Sequence, residues 1–520
     1  MTASHTSTAS HPAQIIVIGG GVGGLTAAAL LAKAGFAVTV LEAHVYPGGC
    51  AGTFFHKGYR FDAGATLAGG FQPGGPHEIA GQQLGIDWPI TRTDPAWVVH
   101  LPDRVVARYG DARQWQAESA EKLPTMRRFW PMQEHAADVV WQFAGRIPEW
   151  PPTRPDALAR FALKIRPNMV PISPLALATM GQWLSALGIR DRAARTFIDA
   201  QLLISAQVTA THANALYGAI SMDLPRSGAY HVHGGMGGLA RTLADALIRH
   251  GGRILYRREV TAIEVEQGRA VRVQTNKGET FAADLILANL TPWALARLLG
   301  TAAPTRLQRE VAGRQSTWGA FTLYLGVPAD ALPGDADHYQ IVKNYDQPLG
   351  EGNSVFVSLS DKTDETRAPQ GFRAVTLSTH THIEPWWQLR NTDPAAYEAR
   401  IADYRDRLLA GAEQVIPGLR QRAALILPGS PAAFQRFTRR PGGMVGGFPQ
   451  TSLFQARGPH TGIENLWLVG DSVFPGQSTA GVTAGALRVA AEVMRVGHTI
   501  HARQPGISST VSASGQAVKS

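Results

Sequence analysis

The stretch from Ile15 to Glu42, IIVIGGGVGGLTAAALLAKAGFAVTVLE, constrains this chain more than any other, because it reads as strand, glycine turn, helix and second strand ending in an acid. Ile15 to Ile18 is a continuous apolar run, as expected of a parallel strand covered on both faces. Gly19, Gly21 and Gly24 occupy the G-x-G-x-x-G positions. The first permits a tight turn, the second lets backbone approach a pyrophosphate, and the third lets the helix pack on the strand. The helix presents Leu25, Ala28, Ala29 and Ala32 at helical spacing, and Gly35 is placed to stop it. Its free N–H groups and dipole suit phosphates. Glu42 follows the second strand, Ala37 to Leu41, where an acid accepts hydrogen bonds from ribose hydroxyls and repels a 2′-phosphate. The pattern predicts a dinucleotide site. A glycine loop that only packs a helix is the competing explanation.

At 520 residues the chain is long enough for two or more lobes and a large core. Its single Cys excludes a disulfide framework, and Cys50 reads as a small hydrophobe beside the doublet Gly48 and Gly49. Charged residues make up 17%, below the roughly 25% of ordinary soluble domains, which leaves room for apolar internal surface or lipid contact. The net charge of +9 favours anionic surfaces. No basic block is interleaved with aromatics, so nucleic acid is not expected as a partner. No apolar stretch reaches the roughly 18 residues of a spanning helix, and the start lacks a basic and apolar leader. The expectation is a cytoplasmic protein held peripherally at the inner face of the cell membrane. Residues 1–12 and 503–520 are expected to lack order.

Beyond Glu42, YPGGCAGTFFHKGYRFDAGAT adds the doublet Gly48 and Gly49, then Gly52, then short strands around Lys57 and Gly58. HGGMGGLARTLADALIRHGGRILYRREVTAI reads as a glycine turn, a helix with Leu239, Leu243, Ala246 and Leu247 on one face, and a strand pair. Turns at Gln267 to Arg269 and Asn276 to Gly278 then predict a meander before the apolar strand Leu285 to Ala288. Near the end, ENLWLVGDSVFPGQSTAGVTAGALRVAAEVM places a strand Leu466 to Val469, the pair Gly470 and Asp471, and a helix opening near Gly481.

These segments, in this order and across nearly the whole chain, resemble the FAD-dependent phytoene desaturase, carotenoid isomerase and amine oxidase superfamily, most closely bacterial carotenoid 3′,4′-desaturases and isomerase-like members. The resemblance implies an α/β fold: an FAD-binding Rossmann-like domain of the glutathione reductase and amine oxidase type, with an interleaved substrate-binding lobe. It assigns residues 13–70, 231–300 and 456–502 to the FAD domain, and 71–230 and 301–455 to a lobe facing substrate and membrane. It also implies that the doublet Gly48 and Gly49 and the turn Phe61 to Thr66, which holds Ala65 and Thr66, wrap the pyrophosphate and approach the flavin ring, with Gly52 a further cofactor-binding position. Val260 would lie along the adenine, and Gly470 with Asp471 would hold a ribityl hydroxyl. Gly481 and Val482 would open the helix at the flavin edge.

Two departures matter. Phytoene desaturases carry an Ala-Gly-Thr-His type of sequence where this chain has Asp471 to Phe474, and amine oxidases carry Gly-Glu-x-Thr at Gly470 to Ser472. The implied reaction is therefore desaturation of an acyclic or monocyclic carotenoid at C3′,4′, with hydride passing to flavin. The alternatives are a carotenoid cis–trans isomerase using reduced FAD, or a lipid carrier of the GDP-dissociation-inhibitor type without catalysis. Quinone or oxygen would accept the electrons.

The middle of the chain has no motif that ties to chemistry. RPDALARFALKIRP predicts a helix with Leu158, Phe161, Ala162 and Ile165 on one face and Arg160 and Lys164 opposite, fit either to dip into anionic lipid or to pack on its own domain. His231 and His233 form an H-x-H pair without further ligands, so no metal is expected, and they read as structural or as flavin neighbours. No catalytic constellation is recognisable, and the catalytic residues stay unassigned.

Overall fold

The computed structural model describes residues 12–146, 150–152, 155–314 and 318–502. The serine-rich start and the tail after Ala502, expected to lack order, lie outside the described residues apart from Pro12.

A five-stranded parallel sheet organises the first lobe. Its order is Leu466–Val469, Leu285–Asn289, Gln14–Ile18, Ala37–Leu41 and Arg253–Leu255, so strands distant in sequence lie side by side. The register sets Ile15 opposite both Leu285 and Val38. Alternation then explains the continuous apolar runs. Ile15, Val17, Val38 and Leu287 point to one core under the helices Val22–Lys33, Gly237–Arg249 and Thr479–Ala502, whereas Ile16, Ile18, Ile286 and Leu468 point to another. That second core lies under the antiparallel meander Val260–Glu266, Arg269–Thr275 and Thr280–Ala282. A strand covered on both faces has no polar side to alternate with.

The helix Val22–Lys33 is buried from Val22 through Ala32, because small residues let the C-terminal helix approach it. Gly23 marks the tightest point: a Cβ there would lie 2.7 Å from Val482 Cγ1. The C-terminal helix itself opens at Thr479, two residues before the expected Gly481.

The second lobe is built on a seven-stranded mixed sheet in the order Leu425–Gly429, Trp318–Pro328, Phe372–His382, Ser354–Leu359, His338–Val342, Trp97–His100 and Val105–Arg108. All neighbours run antiparallel except Trp97–His100, which lies parallel to His338–Val342. On one face Phe321, Leu323, Leu325, Val357, Val375 and Leu377 form a closed core with Trp386, Tyr404 and Leu408 of the helices Ile383–Thr392 and Pro394–Ala412. The opposite face turns toward the first lobe. Helices between Ala112 and Ser221 pack as a third body around Trp115, Phe129, Trp183 and Phe197. Among the described residues no helix is long and apolar enough to cross a membrane.

The segment expected as one apolar helical face behaves differently. The helix spans Pro155–Ala162, and Phe161 turns inward onto Phe143 and Trp150, with ring centroids 5.6 and 5.1 Å away. Leu158 and Ile165 point outward, at 57% and 50% exposure, and Ala162 is exposed as well. The helix stops after Ala162, so Ile165 no longer shares its periodicity.

Candidate functional site

A cavity of about 1120 Å³ runs from the first glycine turn to the open face of the seven-stranded sheet. Gly19, Gly21, Glu42, Gly49, Ala65, Thr66, Val260, Gly470, Asp471 and Val482 all border it. Residues from four separate stretches of sequence thus meet along one wall. Gly24, Gly52 and Gly481 do not border the cavity; they let backbone pack behind it. A Cβ on Gly24 would lie 2.4 Å from the Gly19 carbonyl, on Gly52 2.9 Å from the Gly49 carbonyl, and on Gly481 2.6 Å from the Gly476 carbonyl.

At the turn, Gly19 adopts φ +94°, which only glycine takes without strain. A Cβ on Gly21 would fall 2.7 Å from Asn289 Nδ2, so the floor has no room for a side chain. No side chain caps the helix that follows, and its first N–H groups are left for a ligand. Glu42 is buried, with Oε2 accepting from the Gly20 N–H at 2.6 Å and Oε1 from the His44 N–H at 2.7 Å. Burial pushes its carboxyl above the ordinary range, against the pull of those N–H groups. Each oxygen keeps acceptor capacity for a hydroxyl. An uncapped helix start beside a fixed carboxylate fits a pyrophosphate and a ribose, which are the recognition elements of FAD.

The hairpin of Thr53–His56 and Tyr59–Asp62 explains the second glycine cluster. Thr53 Oγ1 accepts from the Gly237 N–H at 2.8 Å, and Asp62 Oδ1 accepts from the Met236 N–H at 2.8 Å. The glycine turn of HGGMGGL is needed because a Cβ on Gly235 would lie 2.5 Å from both oxygens. Asp62 also pairs with Arg367 at 2.9 Å, a buried contact that ties the second lobe to the first. The chain then turns through Ala63 to Thr66 along the cavity.

Beside these, Arg440 reaches in from the second lobe to pair with Asp471, and it donates a further hydrogen bond to the Gly446 carbonyl. Burial works against its charge, yet the Asp471 carboxylate and the Cys50 thiol outweigh that and hold the guanidinium above its ordinary range. Enclosure pushes the Cys50 thiol up, as suits a wall residue. Arg440 and Asn289 are cavity residues that sequence reasoning missed. Asn289 lies one residue beyond the strand expected over Leu285 to Ala288 and ends the observed one, so its place beside Gly19 follows from strand order. Nothing local marks Arg440.

The H-x-H pair sits away from the cavity. His231 Nε2 lies 3.1 Å from Asp337 and stacks on His338, and His233 Nδ1 lies 2.9 Å from Asp364. Both histidines brace the two lobes, which removes the reading as flavin neighbours. No cluster of metal-ligating side chains occurs among the described residues.

Comparison with known proteins places this geometry. Residues 22–494 match the family described as flavin containing amine oxidoreductase. The chain is 30% identical to a chloroplastic prolycopene isomerase of Arabidopsis thaliana, over 92% of this chain and 82% of the relative. It is 24% identical to a neurosporene-forming phytoene desaturase of Cereibacter sphaeroides, over 92% and 94%. Among solved structures, an oxidoreductase from Methanosarcina mazei superposes with a TM-score of 0.63 at 18% identity, covering 92% of this chain and all of that one. A putrescine oxidase bound to putrescine gives 0.61 at 15% identity, covering 93% and 99%. Because the family match runs from the nucleotide helix into the C-terminal one, the protein belongs to the flavin-containing amine oxidoreductase family, with FAD as its cofactor.

Proposed function

We propose that the protein rearranges the double bonds of a carotenoid, with FAD and polyene held end to end in the one cavity. The observation that carries this reading is the cavity's extent. At about 1120 Å³ it exceeds the roughly 300–1,000 Å³ of ordinary small-molecule pockets, and it continues past Asp471 to the second lobe's sheet. When bound, FAD supplies two-electron chemistry at carbon. The chain's own residues position and shield. Thr479, Ala480 and Val482 bring the first turn of the C-terminal helix to the cavity, where its dipole favours negative charge. Arg440 adds a fixed cation beside Asp471.

Cis–trans isomerisation is favoured by the prolycopene isomerase relatives, at 29–30% identity. Desaturation in general draws support from the phytoene desaturase relatives at 24–27%; its placement at C3′,4′ rests on the sequence resemblance alone, and it would need quinone or oxygen to remove electrons. The deciding experiment supplies purified protein and FAD with acyclic and monocyclic carotenoids in liposomes. Isomerisation leaves product mass unchanged with altered retention. Desaturation lowers the mass by two hydrogens per bond and shifts absorption to the red. Tight pigment binding without turnover would identify a carrier and overturn both.

We also propose peripheral attachment to an anionic membrane, at the cytoplasmic face. Leu158, Leu163, Ile165, Val170 and Leu177 are exposed within one short region, at 57%, 80%, 50%, 66% and 81%, beside exposed Lys164 and Arg166. Apolar tips with basic neighbours suit a lipid headgroup boundary, from which a polyene could enter.

A further inference from the structure

A second cleft, of about 990 Å³, opens beside the main cavity and joins it at the Glu42 end. Glu259, Val260, Arg297, Phe437 and Arg439 border both. Phe437 packs edge-on against His44 with ring centroids 5.9 Å apart, and the His44 N–H is one of the two that hold the Glu42 carboxylate. The cleft therefore leads to the uncapped helix start and the buried acid that suit a pyrophosphate and a ribose. Its walls come from both lobes. Arg297 stands on the helix Pro292–Leu299, which packs under the first lobe's sheet, whereas Trp387 and Arg390 stand on Ile383–Thr392 and Arg436 on Pro431–Thr438 of the second lobe.

The charge of this cleft is one-sided. Arg297, Arg390, Arg436 and Arg439 border it against only Glu259 and Glu398. Arg439 pairs with Glu259 at 3.1 Å, whereas Arg297, Arg390 and Arg436 have no ion pair among the described residues. Two of these unpaired guanidinium groups are held over rings of the same cleft, Arg390 over Trp387 at 5.2 Å and Arg436 over Phe437 at 5.8 Å from the ring centroids. All three are exposed, and Arg390 and Arg436 lie outside the main cavity. An excess of cations between low-dielectric walls focuses the field and draws in an anion. We propose that this cleft is the entry route of FAD, whose anionic pyrophosphate is steered by Arg297, Arg390 and Arg436 toward the glycine turn and Glu42. Arg390 and Arg436 act on the approach and not on the bound cofactor, because neither borders its bed. The inference goes beyond the carotenoid reading and does not depend on which reaction the polyene undergoes.

The test follows FAD uptake by the full-length protein stripped of flavin, read in stopped flow as quenching of flavin fluorescence. At ~10 mM ionic strength, where charges act over about 30 Å, Arg390→Glu with Arg436→Glu is expected to slow association about tenfold. At ~1 M, where that reach shrinks to about 3 Å, variant and wild type should associate within about twofold of each other. Release of FAD, read as fluorescence recovery on dilution of the loaded protein, should be the same in both. Arg127→Glu with Arg128→Glu removes the same charge from an exposed site that borders neither cavity, and should leave association within about twofold of wild type. The neutral pair Arg390→Gln with Arg436→Gln should fall between wild type and the reversed pair, with an unchanged melting temperature because both side chains are exposed. Equal association by the reversed pair and wild type overturns the entry route. So does a slowing matched by the Arg127 and Arg128 variant, which would reflect net charge alone. A change confined to release also overturns it, since the arginines would then hold the bound cofactor instead of guiding it in.

Discussion

At the scale of single residues, the cofactor end depends on one acid and one cation. We propose that Glu42 accepts from ribose hydroxyls as a carboxylate; burial raises the pH at which it ionises. FAD affinity should therefore weaken as pH falls through that raised range, because the protonated form loses an acceptor. Glu42→Gln should lower affinity by about 10–100-fold at neutral pH and flatten the pH dependence, as read by titration of flavin fluorescence. Arg440 is the second case. It is enclosed with Asp471, at 14% and 15% side-chain exposure, and removing one partner leaves a buried charge behind. Arg440→Met should destabilise the protein by about 3 kcal/mol, measured by denaturant unfolding, and adding Asp471→Asn should restore much of the loss. Unchanged stability in the single variant would show that Asp471 is held by other means.

At the scale of elements, packing distances make the glycines unequal. Gly24 sits under the Gly19 carbonyl, which is backbone and cannot swing away, so Gly24→Ala should push the nucleotide helix outward and cost about 1–3 kcal/mol in a thermal melt. Gly35, with nothing within 4 Å, has room for a Cβ and is kept glycine by its φ of +92°. The outward segment near Leu158 makes a different demand. Reversing charge with Lys164→Glu and Arg166→Glu should weaken binding to anionic liposomes by tenfold or more in a sedimentation assay, at about 1 kcal/mol per basic residue lost. Its melting temperature should stay put, since both side chains are exposed. Equal sedimentation would take this segment out of the membrane proposal. Sequence periodicity placed an apolar helix here correctly but paired the wrong residues, because Phe161 found the ring pocket of Phe143 and Trp150.

At the scale of the whole molecule, neutral histidines are locked into the interior. His77 is fully buried, with its pKa pushed down to about 3 by burial, and His338 is likewise held well below its ordinary value. Unfolded, each would take up a proton near pH 6.5, so the unfolded chain binds more protons and stability falls as pH drops below that point. His77 alone should account for about 2 kcal/mol at pH 5. Replacing it, as His77→Leu, should shrink the fall in melting temperature between pH 7 and pH 5; an identical slope would mean that His77 takes up its proton without unfolding.

The nucleotide strands, the glycine turn, Glu42 and the C-terminal helix were legible because each is specified by neighbours close in sequence: hydrophobic period, glycine spacing, a terminal acid. Where those stretches recur in order, the parallel sheet follows from strand pairing and crossover rules. The second lobe was opaque for the opposite reason. Its sheet joins Trp97–His100 to His338–Val342 and turns a polar face inward, so alternation that would read as solvent exposure instead lines a cavity. Arg440 and Asn289 reach their places beside Asp471 and Gly19 only when chain segments far apart in sequence converge. Local pattern thus determined which cofactor is held and on what scaffold, while long-range packing decided what meets it across the cavity.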